Sequence, residues 1–393
     1  MIKQEEISYI NNNPNLGIKV DWEALRKDYK SLVKANNIYD PCKIPFEHIR
    51  YGVLMSTRKT GKTNTLLTLG LICAWKYGTM IAYVRQTEDM IEYRNIKTFF
   101  EVQLRNNYIS EMTGGEYTGA EIKGDYGCFV HYDEKMKVDK RSAPVVIFLA
   151  ISKQLDYKST LNLPNCNLVL FDEFISTRYS YNEYVEFLQL LSTVIRDKTE
   201  VIIMMLANST NVYSPYFYEL CIAKEVKNLK PGNSAMIRTK KGTSLYIELI
   251  DGITPEREQL NMLYFGFDNP KLKAITGGDW AVADYPHIQK DDTREIITKG
   301  LYVTFKDINI QMELARSDKL GLHVLIHRAN KIDEKCLTIY TISDITDCKE
   351  QYAFGRGKLS KLIWKLYDDH KFYYADNEVG DILETYVKQA MKL

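Results

Sequence analysis

Along the chain, apolar residues come in short solid runs separated by stretches of helical period. The runs Gly52–Met55, Thr79–Val84, Pro144–Ile151, Asn167–Phe171 and Val201–Ala207 are solid rather than alternating. Such runs mark strands buried on both faces, as in a parallel sheet. Helices are expected over Trp22–Ala35 with Asp21 as N-cap, over Glu88–Asn107 with Thr87 as cap, and over Tyr181–Arg196. Another follows the first run and is stopped by Gly78. Strands alternating with helices predict an α/β fold with a largely parallel sheet. Tyr117–Val138 differs, alternating around Gly119, Gly124 and Gly127, which predicts antiparallel hairpins. Ser244–Ile250 reads as a further strand and Pro255–Phe265 as a short helix. Beyond Asp284–Lys290 a second α/β pattern begins with LYVTF, HVLIH and LTIYTIS, ending in a helix over Lys358–His370. The expected divisions are a first domain over 1–240, a linker over 241–290 and a second domain over 291–393.

Composition narrows the class. The chain has 393 residues, enough for two or three domains. With 45% hydrophobic and 26% charged residues it is globular, and only 10 prolines exclude a Pro-rich or collagen-like chain. Lys+Arg 52 against Asp+Glu 51 leaves a net charge of +1, so bulk electrostatics does not announce a nucleic-acid binder. A local basic patch remains compatible with that balance. Residues 224–241 hold Lys224, Lys227, Lys230, Arg238, Lys240 and Lys241 against Glu225 alone, and read as a basic connector. The N-terminus lacks the apolar core of a secretory signal, and no run approaches the ~18 residues of a membrane span. Seven cysteines without a CxxC pair predict reduced thiols in a cytoplasmic compartment rather than zinc or disulfides. His323 and His327 share a strand face but lack the glutamate of a HExxH site, so a metal there is not expected.

The sharpest signal is Ser56-Thr-Arg58-Lys59-Thr60-Gly61-Lys62-Thr63, a phosphate-binding loop with serine at the first consensus glycine. It lies between an expected strand and an expected helix, the context such a loop needs. Backbone N–H groups and the helix N-terminus favour phosphate there. Gly61 permits close approach, Lys62 reaches the β- and γ-phosphates, and the Thr63 hydroxyl suits Mg²⁺. A Thr/Lys-rich surface loop is the rival reading.

LVLFDEF supplies a partner about 110 residues after Lys62. Asp172 ends an apolar strand, where it suits Mg²⁺ held through water. Glu173 beside it suits a general base that polarises attacking water. The pair predicts hydrolysis of ATP rather than nucleotide binding alone. Asn208, ending a later strand, is placed to sense the γ-phosphate, with a turn-forming asparagine as the rival. Arg196, ending the helix after the acids, is a candidate arginine finger for a neighbouring subunit, or a cation on a helix C-terminus. Arg58 could supply that charge in cis.

STRKTGKT, YVRQTEDM, LVLFDEF and LANSTNVYSPYF resemble the ATPase of tailed-phage DNA-packaging motors, the large terminase family, and most the small phi29-like branch. Asp268–Trp280 resembles the family's stretch between ATPase and nuclease domains. The resemblance implies an additional-strand P-loop ATPase, followed by an RNase H-like domain. It also implies a homo-oligomeric ring, a pentamer in this branch, on the portal of a procapsid, driving double-stranded DNA inward in the host cytoplasm. ATP and Mg²⁺ would be the cofactors. Ser56 to Thr63 would bind nucleotide, Asp172 and Glu173 would be the metal and catalytic acids, and Asn208 would lie in the coupling motif. Arg196 would lie near the trans finger, and Arg85 on a turn with a nucleotide or DNA role.

The C-terminal region departs from that pattern. A nuclease of this fold needs carboxylates on adjacent strands for two metals. The first is expected at Val303 or Thr304, neither of which is acidic. Asp307, Asp344, Asp347, Asp376 and Asp381 form no such pattern. A vestigial nuclease is therefore expected; for the chain as a whole, the alternatives to a packaging motor are a terminase with an active C-terminal nuclease and a P-loop helicase or remodelling ATPase. Arg356, Lys358, Lys361 and Lys365 form an acid-free group, the lysines at helical spacing, suited to DNA phosphates or to a solvated helix face.

Overall fold

The buried runs do assemble into a parallel sheet. The computed structural model describes residues 18–34, 39–56, 60–175, 183–196, 198–208, 214–251, 285–305, 308–333, 338–341, 351–352 and 358–390. The chain divides into two compact units, one for each of two sheets.

The first sheet contains β1 (Tyr51–Ser56), β2 (Met80–Arg85), β3 (Gly119–Lys123), β4 (Tyr126–Tyr132), β5 (Val138–Ala150), β6 (Cys166–Asp172), β7 (Ile202–Asn208), β8 (Ser234–Arg238) and β9 (Ser244–Ile250). Their order is β3-β4-β5-β2-β6-β7-β1-β9-β8. From β5 to β9 the neighbours are parallel, and the β3–β4–β5 and β8–β9 connections are antiparallel hairpins. The expected hairpins over Tyr117–Val138 are therefore present, and the run Pro144–Ile151 is the buried half of the longer β5.

Helix α1 (Trp22–Leu32) starts where Asp21 accepts a hydrogen bond from the Ala24 backbone N (3.0 Å), the N-cap read from the sequence. Helix α2 (Lys62–Tyr77) follows β1 and ends at Gly78. It buries Leu66, Leu67, Leu69, Leu71 and Ile72 with Ile81, Leu168, Leu170 and Met204 of the sheet. Each such side chain contributes roughly 1.5–3 kcal/mol by leaving water, so β1 and the start of α2 are held rigidly. Helices α3 (Gln154–Thr160) and α4 (Glu183–Ile195) precede β6 and β7, and α5 (Ala223–Asn228) precedes β8.

Two expectations are corrected. The helix over Glu88–Asn107 is broken into a 3₁₀ turn at Glu88–Ile91 and short helices at Tyr93–Ile96 and Glu101–Arg105. Asparagines and aromatics explain the breaks. The Asn95 amide bonds the Asp89 carbonyl, the Asn106 amide bonds the Val102 carbonyl (2.7 Å), and Phe99 leaves the helical path to pack on Tyr83 and Phe148. The basic stretch 224–241 is not a connector either. It forms α5 and the edge strand β8, so the first sheet runs past residue 240 to Ile250. The expected helix at Pro255–Phe265 and the stretch Asp268–Trp280 lie outside the described residues.

The second sheet has β10 (Glu295–Phe305), β11 (Ile308–Ser317), β12 (Gly321–Ala329), β13 (Thr338–Thr341), β14 (Gln351–Tyr352) and β15 (Phe372–Tyr374), in the order β14-β13-β10-β11-β12-β15. β10, β11 and β12 form an antiparallel meander. β13 joins β10 in parallel, β14 joins β13 in parallel, and β15 joins β12 in parallel. Helices α6 (Lys358–Asp368) and α7 (Asn377–Ala390) pack Ile363, Leu366, Ile382, Leu383 and Tyr386 on this sheet. Among the described residues no helix is long and apolar enough to cross a membrane.

Candidate active site

In a parallel sheet flanked by helices, ligands bind beyond the C-terminal strand ends. Here those ends carry polar residues from four strands: Ser56 on β1, Asn208 on β7, Asp172 on β6 and Arg85 on β2. The register brings them abreast, Ser56 opposite Asn208, Asp172 opposite Leu206, and Val84 opposite Phe171.

Gly61 is the N-cap of α2 with φ +83°, a left-handed conformation that glycine adopts without cost. That turn aims the first backbone N–H groups of a long helix outward, which favours an anion. Lys62 is buried, and its ammonium donates to Ser56 Oγ (3.0 Å) and Asn208 Oδ1 (3.0 Å). Burial holds its pKa below the usual lysine value, while the charges of Asp172 and Glu173 pull it back up. Ser56 Oγ also lies 2.8 Å from Thr60 Oγ1. The serine at the consensus glycine position thus serves as an acceptor for the loop lysine.

Both oxygens of Asp172 are engaged. Thr63 Oγ1 donates to Oδ1 (3.1 Å), and the Tyr83 hydroxyl donates to Oδ2 (2.8 Å). Burial, then the Asp172 charge, pushes the Tyr83 phenol far above its usual pKa, which keeps it a donor. Glu173 follows at φ +55°, a left-handed backbone that costs a non-glycine residue of order 1–3 kcal/mol. Its side chain is 53% exposed, and its Oε2 accepts from Arg85 Nη2 at 2.6 Å. Arg85 also donates from Nη1 to the Tyr83 hydroxyl (3.3 Å) and stands 3.9 Å from Asp172 Oδ2. Helix N-terminus, loop lysine, arginine and the paired acids are therefore gathered beyond the ends of four adjacent strands, an arrangement that can bind a polyphosphate and activate a water.

Of the residues singled out from sequence, Ser56, Thr60, Gly61, Lys62, Thr63, Arg85, Asp172, Glu173 and Asn208 are gathered here. Arg58, Lys59 and Arg356 lie outside the described residues. Arg196 caps the end of α4 at φ +46°, and its Nη2 donates to the Leu161 carbonyl (2.6 Å). Lys358, Lys361 and Lys365 lie exposed on one face of α6, opposite the buried Ser360, Ile363 and Leu366.

Sequence reasoning missed Tyr83 and Gln86. Tyr83 lies two residues before Arg85, on the same strand face, within a run that by itself reads as core. Gln86 is buried and donates to the Phe174 carbonyl (3.3 Å) and Glu183 Oε1 (3.1 Å), fastening the segment after the acids to the start of α4.

The family model "Podovirus DNA encapsidation protein (Gp16)" matches residues 35–238. The DNA packaging proteins of Bacillus phages PZA and phi29 are each 22% identical over 315 residues, spanning 73% of this chain and 88% of theirs. A chain of the bacteriophage Phi-29 viral genome packaging motor assembly superposes with a TM-score of 0.56 at 16% identity, covering 90% of this chain and all of that one.

Proposed function

The chain belongs to the podovirus DNA encapsidation protein (Gp16) family, and from that premise we propose an ATP-hydrolysing motor that drives double-stranded viral DNA into a procapsid. The observation that carries this reading is the linkage of the phosphate loop to the acidic pair, Thr63 to Asp172 and Lys62 to Asn208, across three strands. β7 lies between β1 and β6, which supports the additional-strand class of P-loop ATPase.

On this reading the loop backbone and the α2 N-terminus take the triphosphate. Lys62 trades its bonds to Ser56 and Asn208 for phosphate oxygens. The Thr63 hydroxyl and the Asp172 carboxylate are the hard oxygen donors that suit Mg²⁺, which when bound neutralises charge on the β- and γ-oxygens. Tyr83 and Arg85 hold Asp172 in place. Glu173 takes a proton from the attacking water, with Arg85 orienting its carboxylate. Arg196, once freed from the Leu161 carbonyl, is the cation offered to a neighbour's site in a ring, five subunits on the portal by resemblance. The lysine face of α6 is a candidate DNA contact, and assembly would proceed in the host cytoplasm.

Purified protein with procapsids, MgATP and duplex DNA should render the DNA resistant to added nuclease, in an ATP-dependent manner. Separation of a forked duplex without any protection would overturn the reading in favour of a helicase.

We read the second unit as RNase H-like, because a three-strand meander with β13 and β14 added in parallel beside β10 has that strand arrangement. It would lack nuclease activity. The apolar Val303 is fully buried in β10, and the Thr304 hydroxyl is spent on Asn309 Oδ1 (3.0 Å). Supercoiled plasmid should stay intact with the protein and Mn²⁺, and nicking that survives purification would make it an active terminase nuclease.

A further inference from the structure

The sheet end opposite the phosphate loop carries a second concentration of charge. Arg50 immediately precedes β1; its backbone N–H donates to the Ser244 carbonyl (3.0 Å) and its carbonyl accepts from Ile203 N (2.9 Å). Ser244 in turn pairs with Arg238 in the β8–β9 hairpin. Arg50, Ser244 and Arg238 therefore stand abreast on three adjacent chains. Strands lie ~4.8 Å apart, which puts the two arginine backbones ~10 Å from each other. Beyond Arg238 the hairpin closes through Thr239 N to the Thr243 carbonyl (2.8 Å), Gly242 N to the Thr239 carbonyl (2.9 Å) and Thr243 N to Thr239 Oγ1 (3.0 Å). Gly242, at φ +91°, lets the turn close. Lys240 and Lys241 are thereby displayed at a well-bonded tip, and all four cations are exposed.

Some cations elsewhere in this unit face carboxylates, as Lys27 with Glu23, Lys76 with Asp28, Arg94 with Glu92, Lys140 with Glu116, and Arg141 with Glu121, while others such as Lys97, Arg105 and Lys123 stand exposed, singly and without an ion pair among the described residues. Among the described residues none of Arg50, Arg238, Lys240 and Lys241 has an ion pair. Of the acids at this sheet end, Glu47, three residues before Arg50, is held by Arg26, and Glu200 stands just before β7. What sets these four apart is their grouping: strand register and one turn bring four exposed cations together in a chain with a net charge of only +1. Protection of the edge strand β8 against pairing with another chain would account for Arg238 and the turn lysines. It does not account for Arg50, which leads into an interior strand.

Resting on the packaging reading, we propose that these four residues grip the phosphate backbone of duplex DNA without regard to sequence. Their place at the far end of β1 and β9 lets a change at the phosphate loop reach the grip through the strands themselves. Charge complementarity alone suffices for such an interaction, since phosphate binding is driven by release of counterions.

The test is anisotropy of a labelled mixed-sequence duplex with full-length protein over a salt series. Every phosphate that is no longer neutralised lowers the slope of log K against log salt by ~0.9. Replacing all four by glutamine should therefore lower it by about 3–4, and Lys240→Gln with Lys241→Gln alone by about 2. The turn pair makes none of the hydrogen bonds that close the hairpin, so it gives a reading even if the quadruple variant misfolds. ATP turnover without DNA should be unchanged in both, and DNA-stimulated turnover reduced. An unaltered slope in the variants overturns the proposal. So does self-association of the variants with normal DNA binding, which would assign the cations to edge protection. Loss of affinity for a structured RNA but not for duplex DNA overturns it as well. Wild-type protein without any duplex affinity would overturn the packaging reading together with the grip.

Discussion

Glu173→Gln should bind MgATP within a few-fold of the wild type and turn it over about 10²–10⁴-fold more slowly, the usual cost of removing a general base. The substitution keeps the size of the side chain and leaves the backbone at φ +55°, so the local strain is unchanged. What it removes is the ability to take a proton, together with the charge that Arg85 Nη2 meets at 2.6 Å. Arg85 retains the Tyr83 hydroxyl and the neighbouring Asp172, so the arginine stays in place and the phosphate side of the cleft is undisturbed. Titration with a fluorescent ATP analogue, alongside single-turnover phosphate release, separates binding from chemistry. Turnover close to wild type would move the general base to another residue and leave Glu173 as a holder of Arg85.

The strained backbone at Glu173 and the ion pair that restrains it were not legible in the sequence, whereas the acidic pair was. The difference is physical. β1, β2, β6 and β7 are buried on both faces, so their apolar runs are unbroken and announce themselves, as do the residues that end them. Strand order is another matter, because nothing in an apolar run says that β7 separates β1 from β6. Tyr83 follows from that order. As the fourth residue of MIAYVR it reads as core. It becomes a partner of Asp172 only once β2 and β6 lie side by side. Charge misled where it outweighed period: Ser234–Arg238 alternates exposed and half-buried like an edge strand, but its lysine-rich flanks read as a connector. At Ser56 the consensus suggested a lost glycine, and the structure shows an added hydroxyl acceptor for Lys62.

Lys62→Met should remove most of the ATP affinity and nearly all turnover while leaving the fold close to wild-type stability. A charge-assisted hydrogen bond contributes about 1.5–3 kcal/mol, or roughly 10–150-fold in affinity. Loss of a positive charge where negative charge develops in the transition state adds about 10²–10³-fold in rate. Stability is set by opposing effects. Methionine loses the bonds to Ser56 and Asn208, but Ser56 keeps Thr60 as a neighbour at 2.8 Å. Against that loss, methionine removes a buried cation whose pKa in the folded protein lies below its unfolded value. Between those two values the unfolded chain binds more protons than the folded one, so this lysine makes stability rise with pH across that window. Below the window it imposes a constant penalty, which the variant escapes. Thermal unfolding of the nucleotide-free protein near neutral pH should therefore shift little. The wild type should gain stability towards alkaline pH relative to the variant. A variant that melts much lower would tie the loss of activity to unfolding, and one that binds ATP normally would remove Lys62 from the phosphate site.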